Sequence, residues 1–109
     1  MGAAFPCPSL GGAVELTAER EFHILARHPE LRWFLRQRIG ETVLRPDRIR
    51  RSRRSSGSRL FARCYAGGGK ARHVVVVVVT DPGVERRHWI VTAYMTRKLR
   101  GGEAEWKAS

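Results

Sequence analysis

Lysine is nearly missing from this chain of 109 residues, where it occurs only as Lys70, Lys98 and Lys107. Acids are also scarce, ten against 21 basic residues, so arginine carries almost all of a formal net charge of +11. Cysteine is limited to Cys7 and Cys64, which form no CxxC; this excludes a disulfide framework and a cysteine zinc motif. The longest apolar run is the valine stretch 74–79, far too short to cross a bilayer. The opening MGAAFPCPSL has neither a charged start nor a long apolar core, so no signal peptide is expected. Pro6 stands where a myristoylation signal needs Ser or Thr. These absences predict a soluble, cytoplasmic protein that makes no membrane contact.

What is present is an apolar content of 42%, enough for one modest core and a single domain. Residues 1–13, rich in Pro, Gly and Ala, read as a flexible lead-in, 14–106 as the domain and 107–109 as a tail. Thr17 is suited to cap a helix whose first turn carries Glu19 and Glu21. Pro29 forces that helix to stop at His28 and suits the first turn of a second one. Leu31, Phe34, Leu35, Ile39 and Val43 mark the second helix's buried stripe, and Pro46 closes it. The pattern then alternates. IRRSRRSSGSRLFARCYA reads as two strands around a turn at Ser55–Ser58, HVVVVVVT as a central strand and HWIVTAYMTR as a last one. The expected fold is therefore α+β, with two N-terminal helices packed on an antiparallel sheet of about four strands.

Alternation separates each strand into faces. Leu60, Ala62 and Cys64, with Trp89, Val91, Ala93 and Met95, read as the core face under the helices. The open face would then gather Arg59, Phe61, Arg63 and Tyr65 with His88, Ile90, Thr92, Tyr94 and Thr96. Cations interleaved with rings suit single-stranded nucleic acid, while ordinary cross-strand pairing would produce the same list. From Arg48 to Arg72 there is no acid and there are nine basic residues. A GC-rich genome raises the arginine count but does not clear acids from one stretch. Arg50, Arg51, Arg53, Arg54, Arg63, Tyr65, Arg97 and Lys98 are accordingly the expected nucleic-acid contacts.

EREFHILARHPEL carries His23 and His28. A spacing of five puts them about 140° apart on a regular helix, wrong for a zinc clasp, which uses four. No Cys or acid completes a ligand set, so neither a metal nor another cofactor is expected. Histidine suits proton transfer near neutral pH, as in RNA cleavage, where the 2′-OH of the substrate is the nucleophile. A quiet surface histidine and a helix-capping one are the alternatives.

The combination of HILARHPE, the RPDRI turn, a basic strand ending in Tyr65, the valine strand and IVTAYMTR followed by a C-terminal Trp106 resembles a known group. It is similar to the phage- and mobile-element-associated nuclease-like domains grouped with barnase, EndoU, the tRNase colicins and RelE. The resemblance covers about Val14 to Trp106. It implies a toxin-like, metal-independent endoribonuclease acting on tRNA or mRNA. By position it implies His23 and His28 from the helix, Arg59 or Arg63 from a strand, and Thr92 with Tyr94 from the last strand as catalytic residues. Any lysine role of the group would pass to Arg97 or Lys98. Two alternatives remain: a nucleic-acid-binding module that lacks the chemistry, and a protein that binds a partner such as an antitoxin or immunity protein.

Overall fold

The computed structural model describes residues 2–52, 57–67, 70–83, 86–99 and 103–107. In chain order the elements are β1 (Ala3–Cys7), β2 (Gly12–Leu16), α1 (Ala18–Arg27), α2 (Leu35–Leu44), β3 (Arg48–Arg51), β4 (Ser58–Gly67), β5 (Lys70–Asp81), β6 (Arg87–Thr96) and β7 (Glu103–Lys107). They form one mixed sheet in the order β1-β2-β6-β5-β4-β3-β7. The expectation of an antiparallel sheet of about four strands is overturned. β2 runs parallel to β6, pairing Val14 with His88 and Glu15 with Trp89, while the remaining neighbours are antiparallel.

The expected lead-in is a hairpin. Gly11, in the left-handed region at φ 71°, turns the chain and donates its N–H to the Pro8 carbonyl, so that β1 folds back on β2. Cys7 and Val14 are fully buried there. Neither short strand alternates cleanly, so no period-two signal announces them. A parallel partner far along the chain leaves no local signal either.

α1 forms as its signals require. The Thr17 hydroxyl accepts the Arg20 N–H at 3.1 Å, and the helix ends at Arg27 with His28 as its cap. Pro29 does not open α2. It starts a 3-10 turn over Pro29–Leu31, and α2 begins only at Leu35. Leu31, Leu35, Ile39 and Val43 are buried as expected, but Phe34 is exposed. Gly40 lets α2 lie close to β1, for a Cβ there would meet the Phe5 ring at 3.2 Å.

Both helices cover the same sheet face, α2 over β1, β4 and β5 and α1 along β6. The face they cover is not the expected one on β4. Phe61 pairs with Val76, and Val76 with Ala93; all three are fully buried in the core with Ile39 and Val43. Arg59, Arg63 and Tyr65 share the side of Phe61, so they stand towards the helices. Alternation shows that a strand has two faces, and the larger area of Phe61 decides which one is inside. On β6 the phase changes midway. Val78 opposes Ile90 but Val77 opposes Thr92, leaving Val91 as an extra residue in a bulge. His88 and Ile90 before the bulge, and Ala93 after it, are therefore all buried, while Thr92 and Tyr94 fall on the other side. The valine strand is central, between β4 and β6. Val74, Val76 and Val78 belong to the helix-side core, whereas Val77 and Val79 on the other face are half-exposed.

Candidate active-site cleft

β2 borders β6 only at His88 and Trp89. Among the described residues the later part of that β6 edge has no strand beside it, and α1 contacts β6. Between them is a cleft of about 560 Å³, within the usual range for ligand sites. From α1 it is lined by Glu19, Arg20, His23, Ile24, Arg27 and His28, and from β6 by Val91, Thr92 and Tyr94. The helical spacing of 20, 23, 24 and 27 puts those side chains on one stripe.

The two histidines share this cleft although a continuous helix would separate them. The helix stops one residue before His28, whose backbone sits at φ −130° and ψ 67°, so the regular-helix angle does not apply. His23 Nε2 lies 3.8 Å from Glu19 Oε1, a loose pairing on an exposed surface. His28 Nδ1 lies 3.5 Å from Glu30 Oε2 and its ring is 6.0 Å from that of Tyr94, tilted by 37°. Burial pushes the Tyr94 phenol above its ordinary pKa, which keeps the hydroxyl protonated as a donor near neutral pH. Neither Arg20 nor Arg27 forms an ion pair among the described residues. The cleft thus offers two proton-transfer groups, two cations and two hydroxyl donors within one concavity.

Of the expected catalytic residues, His23, His28, Thr92 and Tyr94 come together, and Arg59 does not line the cleft. Arg59 stands near His88, a buried helix-side histidine whose Nδ1 is 2.8 Å from Thr80 Oγ1. Burial lowers the His88 pKa first, and the charges of Arg59 and Arg86 lower it further. Arg63 and Tyr65, expected to meet nucleic acid, are engaged with α2. The Tyr65 hydroxyl donates to Glu41 Oε1 at 2.7 Å, the Arg38 guanidinium lies 4.1 Å above the ring, and Arg63 donates to the Arg45 carbonyl at 2.7 Å. Arg50 and Arg51 lie on β3, opposite Leu60 and Arg59. Arg97 and Lys98 follow β6 in an exposed turn held by the Thr96 hydroxyl. Arg53 and Arg54 lie outside the described residues.

The sequence reading missed Glu19, Arg20 and Arg27. It sought cations on strands, yet Arg20, His23 and Arg27 carry the i, i+3, i+7 signature of one helix stripe. It placed Glu19 only in the first turn of the helix, where Glu19 also lines the cleft. Comparison of the chain with protein-family models, with curated proteins and with solved structures gives no match.

Proposed function

We propose that this chain is a metal-independent endoribonuclease whose active site is the α1–β6 cleft. The observation that carries the proposal is the meeting of His23, His28, Thr92 and Tyr94 with Arg20 and Arg27 around one concavity. The resemblance of HILARHPE and VTAY to the barnase–RelE-like nuclease-like domains points the same way. In the proposed reaction His23 removes the proton of the ribose 2′-OH, and the alkoxide attacks the adjacent phosphorus. His28, whose Nδ1 faces Glu30, returns a proton through its other nitrogen to the departing 5′-oxygen. Arg20 and Arg27 neutralise the charge that builds on the phosphorane oxygens, replacing Arg59 and Arg63 in that role, and Thr92 and Tyr94 donate hydrogen bonds to it. The products are a 2′,3′-cyclic phosphate and a free 5′-hydroxyl.

Incubation of the protein with mixed tRNA and mRNA in EDTA, beside His23→Ala, tests this. The expected result is cleavage that survives EDTA, leaves 2′,3′-cyclic ends and is lost in the variant. Full activity in His23→Ala removes His23 from the mechanism. Tight, salt-dependent binding with no cleavage at any pH would establish the binding module instead.

A further inference from the structure

The turn from His28 to Leu31 is held by its backbone. The His28 N–H donates to the Ile24 carbonyl at 2.7 Å, and the His28 carbonyl accepts the Leu31 N–H at 3.1 Å. The Pro29 ring locks its own φ, and Leu31 is buried in the core. None of these contacts uses the Glu30 carboxylate. That carboxylate nonetheless has a partner, for its Oε2 lies 3.5 Å from His28 Nδ1. The paired glutamates of the described residues divide by partner. Glu15, Glu21 and Glu41 bond Arg87, Arg36 and Arg38 at 2.7 to 3.1 Å. Glu19 and Glu30 lie on histidines instead, and those are the two histidines of the cleft. Arg27 and Arg32 are both within three residues of Glu30, yet neither pairs with it among the described residues.

The hydrogen bond made by one ring nitrogen of a histidine decides what the other nitrogen can do. A carboxylate at Nδ1 is satisfied only while Nδ1 carries its proton, which leaves Nε2 for a reacting group. At 3.5 Å the contact is longer than a formed hydrogen bond, and a small rotation of the Glu30 side chain closes it. Glu30 is not part of the cleft lining, so it reaches the cleft only through His28. We propose that Glu30 is the positioning residue of the general acid: it holds the proton on His28 Nδ1 and so assigns proton delivery to Nε2. When the bond from phosphorus to the 5′-oxygen breaks, the Nε2–H proton passes to that oxygen. The ring is left neutral with its proton on Nδ1, the tautomer that the carboxylate holds. The assignment rests on the ribonuclease reading and adds to it a side chain that never touches RNA.

The test has two readouts. Heteronuclear NMR of the histidine ring nitrogens, at about pH 9 where an ordinary imidazole is neutral, reads the tautomer of His28. The wild type is expected to hold Nδ1–H, the minor form of a free imidazole side chain in water. Glu30→Ala returns the ring to Nε2–H. Cleavage of a short RNA in EDTA is then compared for the wild type, Glu30→Ala and His23→Ala. Each acts on the ordinary RNA and on one in which sulfur replaces the bridging 5′-oxygen at the mapped cut. A departing thiolate needs no proton from an acid. Glu30 is exposed and its turn is held by backbone groups, so the variant keeps its fold. Glu30→Ala is expected to lower kcat about tenfold with KM within about twofold, a part of the roughly 100-fold that a general acid supplies. The defect disappears on the sulfur substrate, where that of His23→Ala persists. If the wild type cleaves and Glu30→Ala matches it, the positioning role is overturned and the ribonuclease stands. An Nε2–H ring in the wild type, or a Glu30→Ala defect that persists on the sulfur substrate, has the same meaning. If the wild type cleaves neither RNA, both assignments fall together.

Discussion

Two regions of this molecule use the same side chains to opposite ends. Between α2 and β4, Arg38, Glu41, Arg63 and Tyr65 form a closed circuit. Arg38 pairs with Glu41 at 3.1 Å and lies over Tyr65, whose hydroxyl bonds Glu41, while Arg63 bonds a carbonyl. Between α1 and β6, Arg20, Arg27, Tyr94 and Glu19 surround a concavity, and their polar ends converge without closing on one another. Residue type therefore does not separate structure from function here. Engagement of the polar groups does: a cluster whose charged ends bond one another holds two elements together, although the buried Arg63 Nε has no partner among the described residues, and one whose ends line a cleft is available to a ligand.

The comparison is broken most forcefully at the histidines. The double variant His23→Ala/His28→Ala is expected to lose cleavage at least 100-fold, and no more than the worse single variant, because paired proton-transfer groups act as a unit. Thermal unfolding should shift by no more than a degree or two. A large fall in Tm would instead place the pair in the scaffold. Next comes the exchange of arginines. Arg27→Ala should lower kcat/KM by tenfold or more with Tm unchanged. Arg63→Ala should leave kcat/KM alone and lower Tm by about 5 °C, since it loses the contact of its own guanidinium with the Tyr65 ring, 5.7 Å away, and the hydrogen bond to the Arg45 carbonyl, worth about 1 kcal/mol together. Opposite assignments of the two effects would reverse the division drawn above. Tyr65→Phe, which removes only the hydroxyl donated to Glu41, is expected to cost about 1 kcal/mol in denaturant titration and nothing in activity. The smallest effect concerns pH. The folded His88 pKa lies below the ordinary value of about 6.5, so the unfolded chain takes up a proton first. Its contribution is complete above about 6.5 and is lost as the pH falls through the lowered folded value. His88→Gln should flatten the decline of stability on that acid limb, and an unchanged slope would remove His88 as its source.

The parts of this architecture legible in the sequence are those written in neighbouring residues. The Thr17 cap, the stop before Pro29, the central valine strand and the buried stripe from Leu35 to Val43 each follow from local chemistry. Pairings between distant segments left no such mark, which is why β1, β2 and the parallel junction at Val14 and His88 went unseen. Face assignment failed on β4 because Leu60 and Phe61 are adjacent and both apolar. On β6 it holds after the bulge, for Thr92, Ala93, Tyr94 and Met95, and fails before it, where the extra residue Val91 shifts the phase and puts His88 and Ile90 inside. His23, His28, Thr92 and Tyr94 nevertheless line one cleft: the histidines were singled out by chemistry and motif, and Thr92 and Tyr94 also by strand alternation.

The parallel junction of β2 with β6 also sets an order of events during synthesis. His28 and Val91 are roughly sixty residues apart, so the two walls of the cleft emerge from the ribosome at very different times. A nascent chain that has released α1 but not β6 holds the arginines and both histidines without the opposite wall. The hairpin of β1 and β2 has nothing to dock against until the final long strand is available. The cleft therefore has only one of its walls until β6 has been made.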